Sequence, residues 1–586
     1  MKIVKGLLLC QLALGLSSGY SNDFFDQKPN IVLILIDDLS HYGVTAYGAD
    51  RVTSNRGRFE NTPISTPRID KLAEEGVLFN HAFAYPLCES TRIALMSGKN
   101  NNRNYLRCKS QHASDITFGD TFKAAGYVTG MYGKWKQTRG TKEVSGKDYI
   151  SEFGWDDYTC FDVIGEGQRF INPNLVRNGQ VLNYNLSKEL DPETGRRWYG
   201  PDICNRDALK FIENHQNEPF FLYYPMLLVH DDHKPTPDTK PNSIFDNFDE
   251  ANNNRNGHTG DDHLYFPDML SYLDKLIGKI VDKIDDLGLR ENTLIIVMGD
   301  NGTKESFTHV FPDGRTYPGR KGGNADNGLH VPLVVSMPGT IAQGTDQLRT
   351  YDGLTNLTDI YPTIAEAGGV DVGPIDGKSF WNQLIGNTQK EHRETIYTWY
   401  SGNSLYTEED VIIEYAFNKE FKRYAPSKNF PNGRFFDLRT DLLERKGDRH
   451  VDLAWGIKRF SGLKIHSLDE EQKKAYDLLG EILEENEMKP VKSLKIVGQK
   501  KKMHVGDTID FSVEIQPVNA TRNQVIWESN NPAVMSVDKF GSVIAKESGT
   551  AILSIFSWDD AYPTSANEPL SYFRGGIKDQ INIVVE

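Results

Sequence analysis

Cysteine is scarce, with five in 586 residues. That excludes a disulfide scaffold, which small secreted chains build from a dense cysteine framework. Long apolar runs are scarce as well. The run from Gly6 to Leu16 follows Lys2 and Lys5 and is too short to cross a bilayer. It reads as the core of a secretory signal over residues 1–21, cleaved between Ser17 and Asn22. Cys10 is a poor lipid anchor, because Leu8 and Leu9 stand where small residues belong. No later stretch is long and apolar enough for a transmembrane segment. Basic excess is missing too. The formal net charge is −15, and losing Lys2 and Lys5 makes it −17. An acidic chain of this kind argues against a nucleic-acid partner. An anionic ligand would need cations gathered locally in its pocket.

Two apolar runs each end in hard oxygen ligands. Ile31 to Ile36 leads into Asp37-Asp38, and Thr293 to Met298 leads into Gly299-Asp300-Asn301-Gly302. Unbroken apolar runs of this length fit strands buried on both faces of a parallel sheet. Open α/β sheets place ligands at the carboxyl ends of such strands. Adjacent carboxylates repel unless a cation lies between them. All-oxygen ligation with an Asn carbonyl suits Ca²⁺ or Mg²⁺ better than zinc. A single Asp-Asp pair is usually a solvated turn; two pairs after two buried strands point to a metal.

Leu87-Cys88-Glu89-Ser90-Thr91-Arg92 reads as a loop feeding a short helix that Gly98 stops, with Ser90 or Thr91 near its cap. A helix start holds anions, and Arg92 adds a planar cation. Alone, Cys88 reads equally as a small buried hydrophobe.

Together these stretches resemble the formylglycine-dependent sulfatase family of the alkaline-phosphatase-like superfamily. Cys88-Glu89-Ser90-Thr91-Arg92 resembles its Cys-x-(Pro/Ser/Ala)-x-Arg signature. Gly133-Lys134-Trp135, the Phe221–His230 strand, Gly299-Asp300-Asn301-Gly302, and Lys321-Gly322 with Gly328-Leu329-His330-Val331-Pro332 follow in family order, over roughly residues 28–485. The resemblance implies that a maturation enzyme oxidises Cys88 to formylglycine (3-oxoalanine). It also implies one Ca²⁺, or Mg²⁺, held by Asp37, Asp38, residue 88, Asp300 and Asn301. One hydroxyl of the aldehyde hydrate would attack sulfur, and the second would then expel sulfate. Arg92 would orient the hydrate, Lys134 and Lys321 would grip sulfate oxygens, and His230 would protonate the leaving alcohol.

The chain departs from the family pattern at three positions. Lys136 stands where the family has the histidine credited with the second proton removal, so Lys136 is a candidate for that task. Asp326 stands for Glu, and His330 for Arg. His309, Arg315 and Arg320 lie in a polar loop and are candidates for touching sugar. So do Asp232-His233-Lys234 and Asn252-Asn253-Asn254 belong to long polar loops, which usually shape substrate choice. With Cys88 oxidised, Cys108, Cys160 and Cys204 remain, and at most one pair can form.

The expected fold is α/β: an alkaline-phosphatase-like central sheet with flanking helices over residues 22–390, then a small C-terminal α+β subdomain over 391–488. Thr66-Pro67 opens a helix that ends at Gly76, and Met269, Leu270, Leu273, Leu276, Ile277, Ile280, Val281 and Ile284 fall at helical spacing. Leu468 to Asn486 reads as a polar helix. After Lys489-Pro490 the pattern turns to short strands, and Trp527 to Val534 resembles the bacterial type-2 Ig-like domain. A β-sandwich is expected over 489–586. The implied function is hydrolysis of sulfate esters on oligosaccharides from a sulfated polysaccharide, by analogy a marine algal glycan such as ulvan or carrageenan. A formylglycine-dependent phosphonate or phosphodiester hydrolase, and an inactive carbohydrate-binding relative, are the alternatives.

Overall fold

The structure is a computed structural model, and it describes residues 28–104, 111–137, 149–161, 163, 168–184, 188–239, 263–342, 344, 348–401, 412–451, 458–498, 501–559 and 576–586. The expected signal over residues 1–21, Cys108 and Asn252-Asn253-Asn254 lie outside these.

Ten strands form the main sheet. In chain order they are β1 (Asn30–Ile36), β2 (Val77–Phe79), β3 (Val128–Lys134), β4 (Asp157–Phe161), β5 (Asn174–Arg177), β6 (Gln180–Asn183), β7 (Phe220–Pro225), β8 (Thr293–Gly299), β9 (Leu333–Ser336) and β10 (Thr350–Tyr351). Their spatial order is β10-β2-β9-β8-β1-β7-β3-β4-β5-β6. The middle five, β8-β1-β7-β3-β4, run parallel, and the outer strands include antiparallel pairs. The apolar runs are thus central strands, and every residue of β1 and β8 is buried. Ile34 pairs with Val297, and Leu35 with Pro225, so the ends of β1, β7 and β8 lie level.

Period-two alternation divides β1 between two cores. Val32, Ile34 and Ile36 face one that holds α1 (Pro67–Glu74), α4 (Gly200–Asn214) and α5 (Phe266–Asp286). Ile31, Leu33 and Leu35 face the other, with α2 (Cys88–Ser97) and α3 (Phe118–Ala124). Each such side chain contributes about 1.5–3 kcal/mol when fully buried. The apolar stripe read on α5 is this packing face.

A four-stranded antiparallel sheet follows: β11 (Ile396–Ser401), β12 (Ile412–Phe417), β13 (Phe421–Tyr424) and β14 (Arg434–Asp437). Against it packs α6 (Glu470–Glu485), which Asp469 and Gln472 cap reciprocally. The C-terminal region is all β. Its long antiparallel pair is β16 (Gly549–Ser557) with β17 (Lys578–Val585), and β15 (Val525–Ser529) lies on the other side of β16. No helix among the described residues is long and apolar enough to cross a membrane.

Candidate active site

The carboxyl ends of four neighbouring strands build the site. β1 delivers Asp37 and Asp38, β8 delivers Asp300 and Asn301, and β3 ends in Lys134, while His230 follows β7. The chain holds these turns by continuing the sheet pattern past the strands. Asp300 N donates to Ile36 O at 2.9 Å, Asp37 N to Leu228 O at 3.0 Å, and Val229 N to Asp37 O at 2.8 Å. Asp38 takes a left-handed φ of 60°, which a short polar side chain tolerates. Gly133 lets β3 approach β7, since a Cβ there would meet Pro225 O at 1.8 Å.

Helix α2 starts at Cys88, with Leu87 at its N-cap and no side-chain cap. Ser90 and Thr91 thus lie in the first turn, near the cap but not at it. The Thr91 hydroxyl serves elsewhere: it donates to Asp300 O at 2.7 Å and accepts from Tyr85 N at 3.1 Å. It ties the helix to the β8 turn. All ten residues of α2 are buried, and Gly98 ends it at φ 65°.

Three carboxylates meet three cations. Lys134 Nζ donates to both Asp37 oxygens, at 2.8 and 2.6 Å. Arg92 Nη2 donates to Asp300 Oδ2 at 2.7 Å, and Nη1 to Lys134 O at 3.2 Å. Lys321 Nζ donates to Asp38 Oδ2 at 2.6 Å and to His230 Nε2 at 3.0 Å. Asp38 N donates to Asp300 Oδ1 at 3.0 Å. Burial would raise the Asp37 carboxyl, but Lys134, His230, Arg92 and Lys321 hold it well below the usual carboxylate range. Burial also pushes the Cys88 thiol up to about 12, with the Glu89 charge adding to it. As a thiol, Cys88 stays protonated at neutral pH and is a poor nucleophile.

These residues fit a hard divalent cation. Asp37, Asp38 and Asp300 offer oxygens within 4.8 Å of one another, as do Asp37, Cys88 and His230 with their own ligand atoms. The Asn301 amide nitrogen donates to Asp38, while its buried carbonyl oxygen has no donor among the described residues. An all-oxygen set with an orphaned amide carbonyl is the chemistry of Ca²⁺ or Mg²⁺.

Sequence reasoning missed three neighbours. His230 Nδ1 lies 2.6 Å from Asp231 Oδ1, and Lys304 Nζ donates to Asp231 Oδ2 at 2.6 Å. Burial, then Lys321, Lys134 and Arg169, push His230 down to about 4. The polar run at 230–234 was a visible signal for Asp231. Nothing local marks Lys304 or Arg169.

The other candidates differ in burial and partners. Lys136 is half-buried, two residues past β3, with a φ of 48°. His309 is fully buried, with Nε2 3.3 Å from the Thr303 hydroxyl. Arg315 is exposed and pairs with Asp313, and Arg320 is exposed beside Lys321. His330 stacks on His41 at 3.9 Å and bonds Asn80 O, with Asp326 3.4 Å away. Cys160 and Cys204 are free and buried.

A sulfatase family model matches residues 29–370, and a bacterial Ig-like domain (group 2) model matches 490–560. An arylsulfatase of Hemicentrotus pulcherrimus is 27% identical over 398 residues, covering 63% of this chain and 64% of that one. An N-acetylgalactosamine-6-O-sulfatase of Bacteroides thetaiotaomicron is 27% identical over 445 residues, 62% of this chain and 78% of the other. The fold is also that of a crystallised sulfatase from Pseudoalteromonas sp., 20% identical with a TM-score of 0.53, covering 78% of this chain and 90% of that one.

Proposed function

Because this chain belongs to the sulfatase family of sulfuric ester hydrolases, we propose that it hydrolyses sulfate esters on a sulfated carbohydrate. The substrate is an oligosaccharide cut from a polysaccharide, algal glycans such as ulvan included. The observation that carries this reading is the cluster itself: three carboxylates and an orphaned Asn301 carbonyl facing Cys88 at a helix start, with Lys134, Lys321 and His230 around them. The carbohydrate class is supported by the N-acetylgalactosamine-6-O-sulfatase likeness and by the long polar loops. The leader pattern at residues 1–21 supports a secreted or periplasmic enzyme.

Asp37, Asp38, Asp300, Asn301 and residue 88 would hold Ca²⁺, which supplies Lewis acidity to a sulfate oxygen and to the nucleophile. The nucleophile is formylglycine made from Cys88 by a maturation enzyme, an aldehyde hydrate in place of a thiol that is protonated at neutral pH. Arg92, pinned by Asp300 and the Lys134 carbonyl, sits one helical turn from residue 88 and fixes its rotamer. Lys134 and Lys321 bind sulfate oxygens and stabilise charge that develops on them. The Lys321 ammonium can only donate, so His230 Nε2 accepts from it. That pair carries the proton that goes to the leaving sugar oxygen, while Asp231 and Lys304 fix the imidazole plane. A bound sulfate monoester brings a negative charge that offsets the push of Lys321 and Lys134 on His230.

The test is free-sulfate release from a panel of sulfated oligosaccharides, with Cys88→Ala alongside. Release by the converted wild type alone supports the reading. Silence across the panel, with turnover of a phosphodiester or phosphonate instead, overturns it.

A further inference from the structure

We propose that Arg169 selects the substrate by binding a second oxyanion, a carboxylate or a second sulfate, on the sugar that carries the scissile ester. This rests on the function proposed above.

Arg169 differs from the other cations of the site in being uncommitted. Arg92, Lys134 and Lys321 each pair with Asp37, Asp38 or Asp300. Among the described residues no carboxylate pairs with Arg169, and its Nη1 is buried with no acceptor. A buried charged donor left unmade is unfavourable, so its place in the fold calls for an acceptor.

Its position is set by stacking. The guanidinium carbon stands 4.9 Å from the Phe161 ring and 6.0 Å from that of Phe170. Phe161 closes β4 and is the register partner of Lys134 at the end of β3. The guanidinium is therefore held against these rings at the carboxyl edge of the sheet, next to the strand that delivers Lys134. Its charge is also felt at His230. A cation near the residue assigned to the leaving oxygen, yet bonded to none of the carboxylates, faces the sugar and not the sulfate being removed.

The donor type names the ligand. A stacked guanidinium presents its edge N–H groups as a fork that matches a carboxylate or a sulfate. A chain of net charge −15 repels an anionic sugar at long range, so an uncommitted local cation has a task to do.

The test measures binding without turnover, in Cys88→Ala protein, by titration calorimetry. Three disaccharides are compared: one with an O-sulfate and a free uronate carboxylate, its methyl ester, and one with two O-sulfates. The free uronate or the disulfate should bind about 10- to 100-fold more tightly than the methyl ester, and whichever does so identifies the oxyanion. Arg169→Gln should erase that difference, and Arg169→Lys should keep part of it, since the charge stays and the fork is lost. Equal affinity for all three sugars, no binding of any, or a preference that survives Arg169→Gln overturns the proposal. Absence of sulfate release by the converted wild type, with the preference intact, would count against the sulfatase reading and not against Arg169.

Discussion

The Asn301 amide nitrogen donates to Asp38 Oδ1 at 2.8 Å, and this bond turns the Asn301 carbonyl oxygen into a buried site with no donor among the described residues. The proposed Ca²⁺ would satisfy it together with the crowded carboxylates. Ca²⁺ added to metal-stripped protein should therefore raise the melting midpoint. At a free concentration a hundred times Kd the gain is about 2.7 kcal/mol. Asn301→Ala should lose most of that rise, and chelation should stop turnover. A wild-type midpoint indifferent to Ca²⁺ would sink the assignment.

His230 lies between Lys321 and Asp231, at 3.0 and 2.6 Å. If it delivers the leaving-group proton, its loss should matter most when the leaving oxygen is basic. His230→Asn should lower kcat/KM on a sugar sulfate by about 10²- to 10⁴-fold. The fall on an activated nitrophenyl sulfate should be much smaller. An equal fall on both would assign His230 to binding instead.

What could be read from the sequence was local or periodic. Ile31–Ile36 and Thr293–Met298 announce themselves because strands buried on both faces need no polar alternation, and α5 shows its stripe at helical spacing. The partners of those elements are another matter. Thr91 looks like a cap from its neighbours alone, yet its hydroxyl is taken by Asp300 O, more than two hundred residues away. Arg169 sits in a stretch with no pattern, and its position depends on the Phe161–Lys134 register. His309 looks like a loop residue open to solvent, but Phe307–Val310 is a strand paired with Arg51–Ser54, and this pairing buries the imidazole.

Burial pushes His309 down to about 4. The unfolded chain, with an ordinary histidine near 6.5, binds more protons between those values. The stability His309 contributes as a neutral group is thus fully present above about pH 6.5 and is lost as pH falls toward 4. A shift of that size corresponds to about 3 kcal/mol. Denaturant melts across this window should show the slope, and His309→Gln should flatten it. An unchanged slope in the variant would assign the acid sensitivity to other buried histidines.

Lys539 belongs to the C-terminal β region, but its ammonium is spent on the catalytic region. It donates to Asp120 Oδ2 at 3.0 Å and to the carbonyls of Asp115 and Glu152 at 3.1 and 2.5 Å. Trp558, fully buried, donates from Nε1 to the Ser114 hydroxyl at 3.0 Å, and Arg522 Nε reaches Asn102 O at 3.1 Å. A spacer on a loose tether would not bury a lysine in this way. The contacts also fall on the chain that runs on from α2, so the two regions should melt as one unit. Lys539→Ala leaves Asp120 buried without its cation, a loss of about 3 kcal/mol. Calorimetry should then resolve two transitions where the wild type has one, and protease should begin to cut near Lys489. Lys539→Arg, which keeps the charge but not the compact ammonium, should fall between them. A single transition at the wild-type temperature in Lys539→Ala would mean that docking is carried by Trp558 and Arg522 alone, and that the lysine pair is worth no more than a surface ion pair.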